Sequence, residues 1–313
     1  MHDRSHGAVI ASAVGDALGS RYEFGPPIPA NVAITFGRGY FGTGVGEWTD
    51  DTSMAIPILQ ELAAGADLTD SAPLARIVAV WREWSKTAPD VGIQTRRVLS
   101  QLEPPFNEDA ARAAALAVHE QSGRSAGNGS LMRTGPVALG FLGDGTEPKL
   151  VDAAARIAEL THWEHDSSDA CVIWSLAIRH AIRTGTLAIC EQLKWLPEQR
   201  QERWRRFIDE ALKPGVEPVD FHKSNGWVVS AFQAALAAIQ ATTTLPDALE
   251  IAVRGGHDTD TVAAITGSLA GAIYGASNLP QEWRDQIYGW PGLRETDLIN
   301  LVDAAVATRT GQA

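Results

Sequence analysis

Apolar residues recur with a helical period along almost the whole chain, and that repetition constrains the fold more than any other feature. In residues 73–86, Leu74, Ile77, Val78, Trp81 and Trp84 follow i, i+3, i+4, i+7 spacing behind the start signals Ser71 and Pro73. Similar stripes predict helices over 7–20, 52–64, 109–119, 149–161, 168–184, 226–241, 245–254 and 261–275, with Gly185 as a stop. Pro57 inside the 52–64 stretch implies a kink or a later start. No run of four to eight residues alternates cleanly between turn residues, so few strands are expected. The breaks at 103–109 and 213–226 read as surface loops and do not separate segments of different composition. One all-α domain over residues 1–313 is the expectation.

The stretch 261–275 carries Gly267, Gly271 and Gly275 at a four-residue interval. Glycine inside a helix costs about 1 kcal/mol relative to alanine, so a stripe of them wants a packing reason. Close approach of a second helix supplies one, and 7–20, with the same Ala/Gly/Ser character, is the candidate partner.

Composition narrows the function. With 45% hydrophobic and 20% charged residues the chain is an ordinary globular one, not a charge-rich disordered one. Its net charge of −12, with no basic run, supplies no phosphate-neutralising surface, so sequence-specific nucleic acid binding is not expected. Cys171 and Cys190 are too few for a disulfide framework and lack zinc-site spacing. The first apolar run is short and broken by Asp16, and no other reaches the length of a bilayer. A cytoplasmic protein without membrane contact fits these features.

Two acidic clusters stand out. Thr49-Asp50-Asp51-Thr52 precedes one apolar-periodic stretch, and His257-Asp258-Thr259-Asp260-Thr261 precedes the glycine-striped one. Capping explains either alone, since Asp and Thr accept the orphan amides of a helix start. Two acids in a row exceed what a cap needs, and this happens twice. Were the fold to bring the clusters together, their mutual repulsion would demand a cation, and hard oxygen ligands suit Mg²⁺, Mn²⁺ or Ca²⁺.

Between them lies Ala126-Gly127-Asn128-Gly129-Ser130-Leu131-Met132-Arg133, a glycine-rich segment whose amides could cradle phosphate or simply turn into a helix. It is neither a Walker loop nor a dinucleotide fingerprint. Asp16, inside an apolar helix, must be paired with nearby backbone or belong to the site, and the first is favoured. Glu23, before Gly25-Pro26-Pro27, either overhangs a ligand or is solvated. His162 closes a helix. Trp81, Trp84, Trp174 and Trp204 fall on packing stripes, which leaves Trp48 and Trp163 as candidate ligand walls.

Taken in order, GDALGSRYEF (15–24), GEWTDDTSM (46–54), AGNGSLMRTGPVAL (126–139), TH (161–162), GWVVSAFQAALAAI (226–239) and GGHDTDTVAAITGSLAGAIYG (255–275) resemble the ADP-ribosylglycohydrolase family over nearly the whole chain. The resemblance implies a compact orthogonal multi-helical domain with two divalent cations, Mg²⁺ or Mn²⁺, in a cleft. Their ligands would be Thr49, Asp50, Asp51, Asp258, Asp260 and Thr261. Gly127, Asn128, Gly129, Ser130, Met132 and His162 would bind the ligand, ADP-ribose or an ADP-ribosylated substrate. Glu23 matches a glutamate that some relatives carry on a mobile loop. His257 departs from the Gly or Asn of many relatives. The implied reaction is hydrolysis of the glycosidic bond of ADP-ribose, with Glu23, Asp51 and Asp258 as candidates for moving the proton. A non-catalytic ADP-ribose binder and a metal-dependent nucleotide-diphosphate phosphohydrolase are the rival readings.

Overall fold

The computed structural model describes residues 1–310, so the last three residues of the expected 1–313 domain lie outside the described residues. Among the described residues the helices are α1 (His2–Gly19), α2 (Asp50–Ala63), α3 (Ser71–Trp84), α4 (Ile93–Leu99), α5 (Glu108–Ser122), α6 (Glu147–Glu159), α7 (His165–Thr184), α8 (Glu198–Ala211), α9 (Val228–Ala241), α10 (Leu245–Arg254), α11 (Thr259–Tyr274), α12 (Gln281–Gln286) and α13 (Glu295–Thr310). Short 3-10 turns join several of them. The strands β1 (Tyr288–Gly289) and β2 (Leu293–Arg294) form a minimal antiparallel hairpin, with Tyr288 opposite Arg294 and Gly289 opposite Leu293. Buried apolar side chains from α1 through α13 join in one contiguous core.

The glycine stripe does what its spacing suggests. A Cβ on Gly271 would stand 2.0 Å from the Gly7 carbonyl oxygen, and one on Gly267 would stand 2.1 Å from that of Ala11. Gly275 differs: it ends α11 with φ of +90°. Contacts run antiparallel, Gly7 with Gly271, Ala11 with Gly267 and Gly15 with Ala263, so the end of α1 lies against the start of α11. That pairing places the acidic segments.

Four helices exceed the expectation. α4 and α12 are short, α8 buries Trp204, Ile208 and Ala211 among many polar residues, and α13 packs Leu298, Ile299, Leu301, Val302 and Ala305 on the core. In α8 one apolar position per turn is a faint stripe. α1 also begins at His2 rather than at residue 7. α2 runs unbroken through Pro57, and one residue beyond the carbonyl that Pro57 cannot serve, Trp81 Nε1 donates to Met54 O at 2.9 Å.

Candidate active site

The antiparallel contact of α1 with α11 ends at Gly19, where a Cβ would fall 2.5 Å from Asp260 Cα. Thr259 Oγ1 donates to Gly19 O at 2.8 Å. The segment carrying Glu23 therefore leaves α1 beside the second acidic cluster. Asp16, fully buried one turn earlier, recruits the first cluster: its carboxylate accepts from Thr49 N and Oγ1 at 2.8 and 2.7 Å, and from Thr52 N and Oγ1 at 3.0 and 2.6 Å. Asp16 thus docks the start of α2 onto α1. The structural role favoured from sequence is only half of what it does, because the same carboxylate also faces the acidic centre.

Ligand atoms of Asp16, Asp51 and Asp260 lie within 4.8 Å of one another, and so do those of Glu23, Asp90 and Asp260. Asp50, Asp258 and Thr261 line the same cleft, of about 390 Å³. Simple capping fails for both clusters, since neither Thr49 ahead of α2 nor Asp258 ahead of α11 makes a side-chain cap bond. Burial, reinforced by neighbouring carboxylates, pushes Asp50, Asp51 and Asp260 well above the usual carboxylate range. Burial, then Asp90, Asp258, Asp50 and Asp16, raises Glu23 to about 9. Burial, then Asp16 and Asp258, lifts Asp90 to about 6.

These residues fit a divalent cation. Asp51 Oδ1 is buried with no hydrogen-bond partner, although Asp51 Oδ2 takes the Thr49 hydroxyl at 3.0 Å. A carboxylate oxygen without a donor, inside a group of like charges, is costly unless a cation faces it. An all-oxygen donor set suits Mg²⁺, Mn²⁺ or Ca²⁺. Raised carboxylates bind more protons folded than unfolded, so the chelated protein should lose stability as pH climbs from about 4 past the values of Asp90 and Glu23. Divalent cation should cancel that loss. Thermal melts should show Mg²⁺, at ~100-fold excess over its Kd, raising Tm by roughly 5 °C or more at pH 8 and far less at pH 5. An equal shift at both values would count against carboxylate ligands.

Sequence-nominated ligand residues divide. Glu23, Asp50, Gly127, Asn128, Gly129, Met132, His162, Asp258, Asp260 and Thr261 all line the cleft. Thr49, Asp51 and Ser130 do not: Thr49 lines a neighbouring chamber with Asp50, Asp51 is buried, and Ser130 is fully buried under the glycine segment. Ser130 therefore offers no side chain to a ligand in this structure. Nor are all the loop amides free, because Asn128 N donates to Gly226 O at 3.1 Å. Asn128 Nδ2 instead bonds Asp258 Oδ2 at 2.7 Å, coupling the loop to the second acidic cluster.

Close packing explains the glycines. A Cβ on Gly127 or Gly129 would come 3.2 Å from the His162 ring, so the loop lies flat on that imidazole. Thr161 Oγ1 pairs with His162 Nδ1 at 2.7 Å, and burial together with Arg133 holds His162 well below its usual range, as a neutral ring. Fully buried Arg133 stands beneath. Its guanidinium donates to Gly129 O at 3.1 Å, Ile157 O at 3.3 Å and Thr161 Oγ1 at 2.7 Å, and lies 4.2 Å from the Trp81 ring centre. Gln94 Nε2 adds bonds to Ser125 O and Thr161 O, both 2.9 Å.

The Glu23 segment is stapled down: Phe24 N donates to His257 O at 2.6 Å and His257 N to Gly25 O at 2.8 Å. Phe24 and His257 both take positive φ, 60° and 65°. The Phe24 ring meets Tyr40, Phe41 and His257 edge-on, which makes an aromatic lip beside Glu23 and puts His257 at the rim rather than among the ligands. Across Asp50 and Asp90 a second chamber of about 450 Å³ opens, walled by Trp48, Trp84 and Trp290. Trp48 is thus a wall, as its position suggests, and Trp84 lines the chamber while packing in the core as its stripe predicts. Trp163 is not; its ring lies under Arg112.

The profile of ADP-ribosylglycohydrolases matches residues 1–313. The chain belongs to the ADP-ribosylglycohydrolase family. Among its relatives are the "ADP-ribosylarginine hydrolase Tri1" of Pseudomonas putida, 31% identical over 294 residues (91% of this chain, 74% of that one). The "ADP-ribosyl-[dinitrogen reductase] glycohydrolase" of Rhodospirillum rubrum is 31% identical over 297 residues, covering 92% and 91%. A solved "ADP-ribosylglycohydrolase-related protein complex" superposes with a TM-score of 0.72 at 25% identity, covering 98% of each chain. The fold is therefore the ADP-ribosylglycohydrolase fold, and the family's activity is that of a hydrolase. Among the described residues no helix is long and apolar enough to cross a membrane.

Sequence reasoning missed Asp90, Gln94, Arg133 and Asn225 as parts of this candidate site. Asn225 Nδ2 donates to Gly256 O at 3.0 Å and its backbone carbonyl takes Asn128 Nδ2 at 2.9 Å, which fixes the approach to Asp258. Nothing around Asp90 in TAPDVGI marks it as special. Arg133 did carry a signal, a charged residue in the apolar run LMRTGPVAL.

Proposed function

We propose that residues 1–313 act as one domain that hydrolyses the bond between ADP-ribose and an arginine side chain, with two divalent cations held by Thr49, Asp50, Asp51, Asp258, Asp260 and Thr261. The observation that carries the reading is the meeting of both acidic clusters beside Glu23 in a cleft that the glycine loop and His162 also line. Bound there, the cations would supply Lewis acidity and hold ribose hydroxyls. Gly127, Gly129 and His162 would form the flat bed for the diphosphate part, with Met132 in the cleft wall. Asn128 would orient Asp258. Hydrolysis breaks the anomeric C–N bond, joins water oxygen to that carbon and returns a proton to the departing guanidine. Glu23 lies within 4.8 Å of Asp90 and Asp260 and lines the cleft, so it is the group placed to move it. Asp51 and Asp258 are the remaining candidates.

An arginine acceptor is supported by the name of one relative, the ADP-ribosylarginine hydrolase Tri1 of Pseudomonas putida, and by charge. Neither the cleft nor the tryptophan chamber is lined by Lys or Arg, whereas Asp50 and Asp90 face both, and tryptophan faces attract a guanidinium. This favours a cationic leaving group over a serine hydroxyl.

Incubation with ADP-ribosyl-arginine and with ADP-ribosyl-serine in Mg²⁺, followed by mass analysis, tests the reading. Release of intact ADP-ribose and arginine is expected, AMP would point to phosphohydrolysis, and binding without release would leave only a binder. In the same assay Glu23→Gln should cut turnover by roughly 10²–10⁴-fold with ADP-ribose affinity unchanged, since the amide keeps the shape and loses the titrating proton. Wild-type turnover in that variant would remove Glu23 from the mechanism.

A further inference from the structure

We propose that His2, His6 and Asp303 form a second metal site, taking a transition-metal dication of the zinc class. His2 and His6 stand one turn apart on α1, so their rings project on one face, and Asp303 of α13 faces them. His2 Nε2 lies 2.8 Å from Asp303 Oδ1 and His6 Nε2 lies 2.7 Å from the same oxygen. All three ligating atoms fall within 4.8 Å of one another. The two rings meet edge to face with centres 4.2 Å apart, already gathered on one point.

Two imidazoles crowding one carboxylate oxygen is more than the junction of two helices requires. Leu298, Val302 and Ala305 already bury α13 in the core. A tetrahedral ion with bonds of roughly 2.0–2.1 Å would hold its ligand atoms about 3.3 Å apart, so each contact needs to open by only about half an ångström. Two imidazoles and one carboxylate with a position left open suit zinc, nickel, cobalt or copper, whereas the all-oxygen cleft suits magnesium or manganese. Ten residues separate His6 from Asp16, roughly 15 Å of helix, so the two centres are distinct. His2 and Asp303 keep 70% and 43% of their side-chain surface, which gives an ion a way in. Each imidazole turns Nε2 from donor to ligand by carrying its proton on Nδ1. The bound ion ties the start of α1 to α13.

The test uses tag-free protein with the cleft saturated by Mg²⁺. Zinc is titrated by calorimetry, cobalt serves as an optical probe, and melts are run with and without zinc. One zinc per chain and a higher Tm are expected in the wild type. His2→Ala and Asp303→Asn, both at surface side chains, should each weaken zinc binding at least tenfold and abolish the Tm shift. Zinc binding at wild-type affinity in both variants, or no zinc bound by the wild type, would overturn the site. Neither result depends on the hydrolase reading.

Discussion

Asp260→Asn is expected to lower turnover by about 10³-fold or more, the equivalent of roughly 4 kcal/mol of lost transition-state stabilisation. Asp260 belongs to both carboxylate groups, the one with Asp16 and Asp51 and the one with Glu23 and Asp90, so its loss weakens every cation position the centre offers. Because the side chain is only 2% exposed, the amide is the replacement that keeps its volume. Without metal the variant should melt above the wild type, since one member of a repelling set has been neutralised. With Mg²⁺ the order should reverse. Full activity at saturating Mg²⁺ would sink the metal-dependent mechanism.

The second large effect is on stability. Burial lowers the Arg133 guanidinium only to about 10, so it is a cation at neutral pH, and it serves Gly129 O, Ile157 O and Thr161 Oγ1 together. Arg133→Met fills a similar volume but leaves those acceptors without donors and Trp81 without its cation. A loss of about 3 kcal/mol or more in urea unfolding is expected. The glycine loop would lose its support from below, so ADP-ribose affinity should fall as well. Arg133→Lys keeps the charge without the fork and should fall between the two. A change under about 1 kcal/mol in Arg133→Met would show that the loop is held by other contacts.

The helical class of this chain is written in its period-3.6 stripes, and the α1–α11 contact in its glycines, because a four-residue interval of glycine has few uses other than close approach. The acidic segments were recognisable as excess over capping. What the stripes did not show were α8, where one apolar residue per turn is enough once the rest of the core exists, and α13, whose Leu298, Ile299, Leu301, Val302 and Ala305 pack on the core. Asp90 was invisible for a different reason: its meaning comes from standing beside Glu23 and Asp260, which are distant in sequence.

Sequence by itself determined the family, the all-α class and most of the side chains that line the cleft, since these depend on residue types and local spacing. Tertiary structure decided which of them share a centre. Asp16 is bonded to backbone as a paired core acid and in that way docks α2, the Ser130 side chain is buried beneath the loop, and Arg133 supports the glycine segment. Such roles are set by which helix ends meet. Desolvation and repulsion among carboxylates grow steeply over a few ångströms, and no one-dimensional spacing encodes that distance.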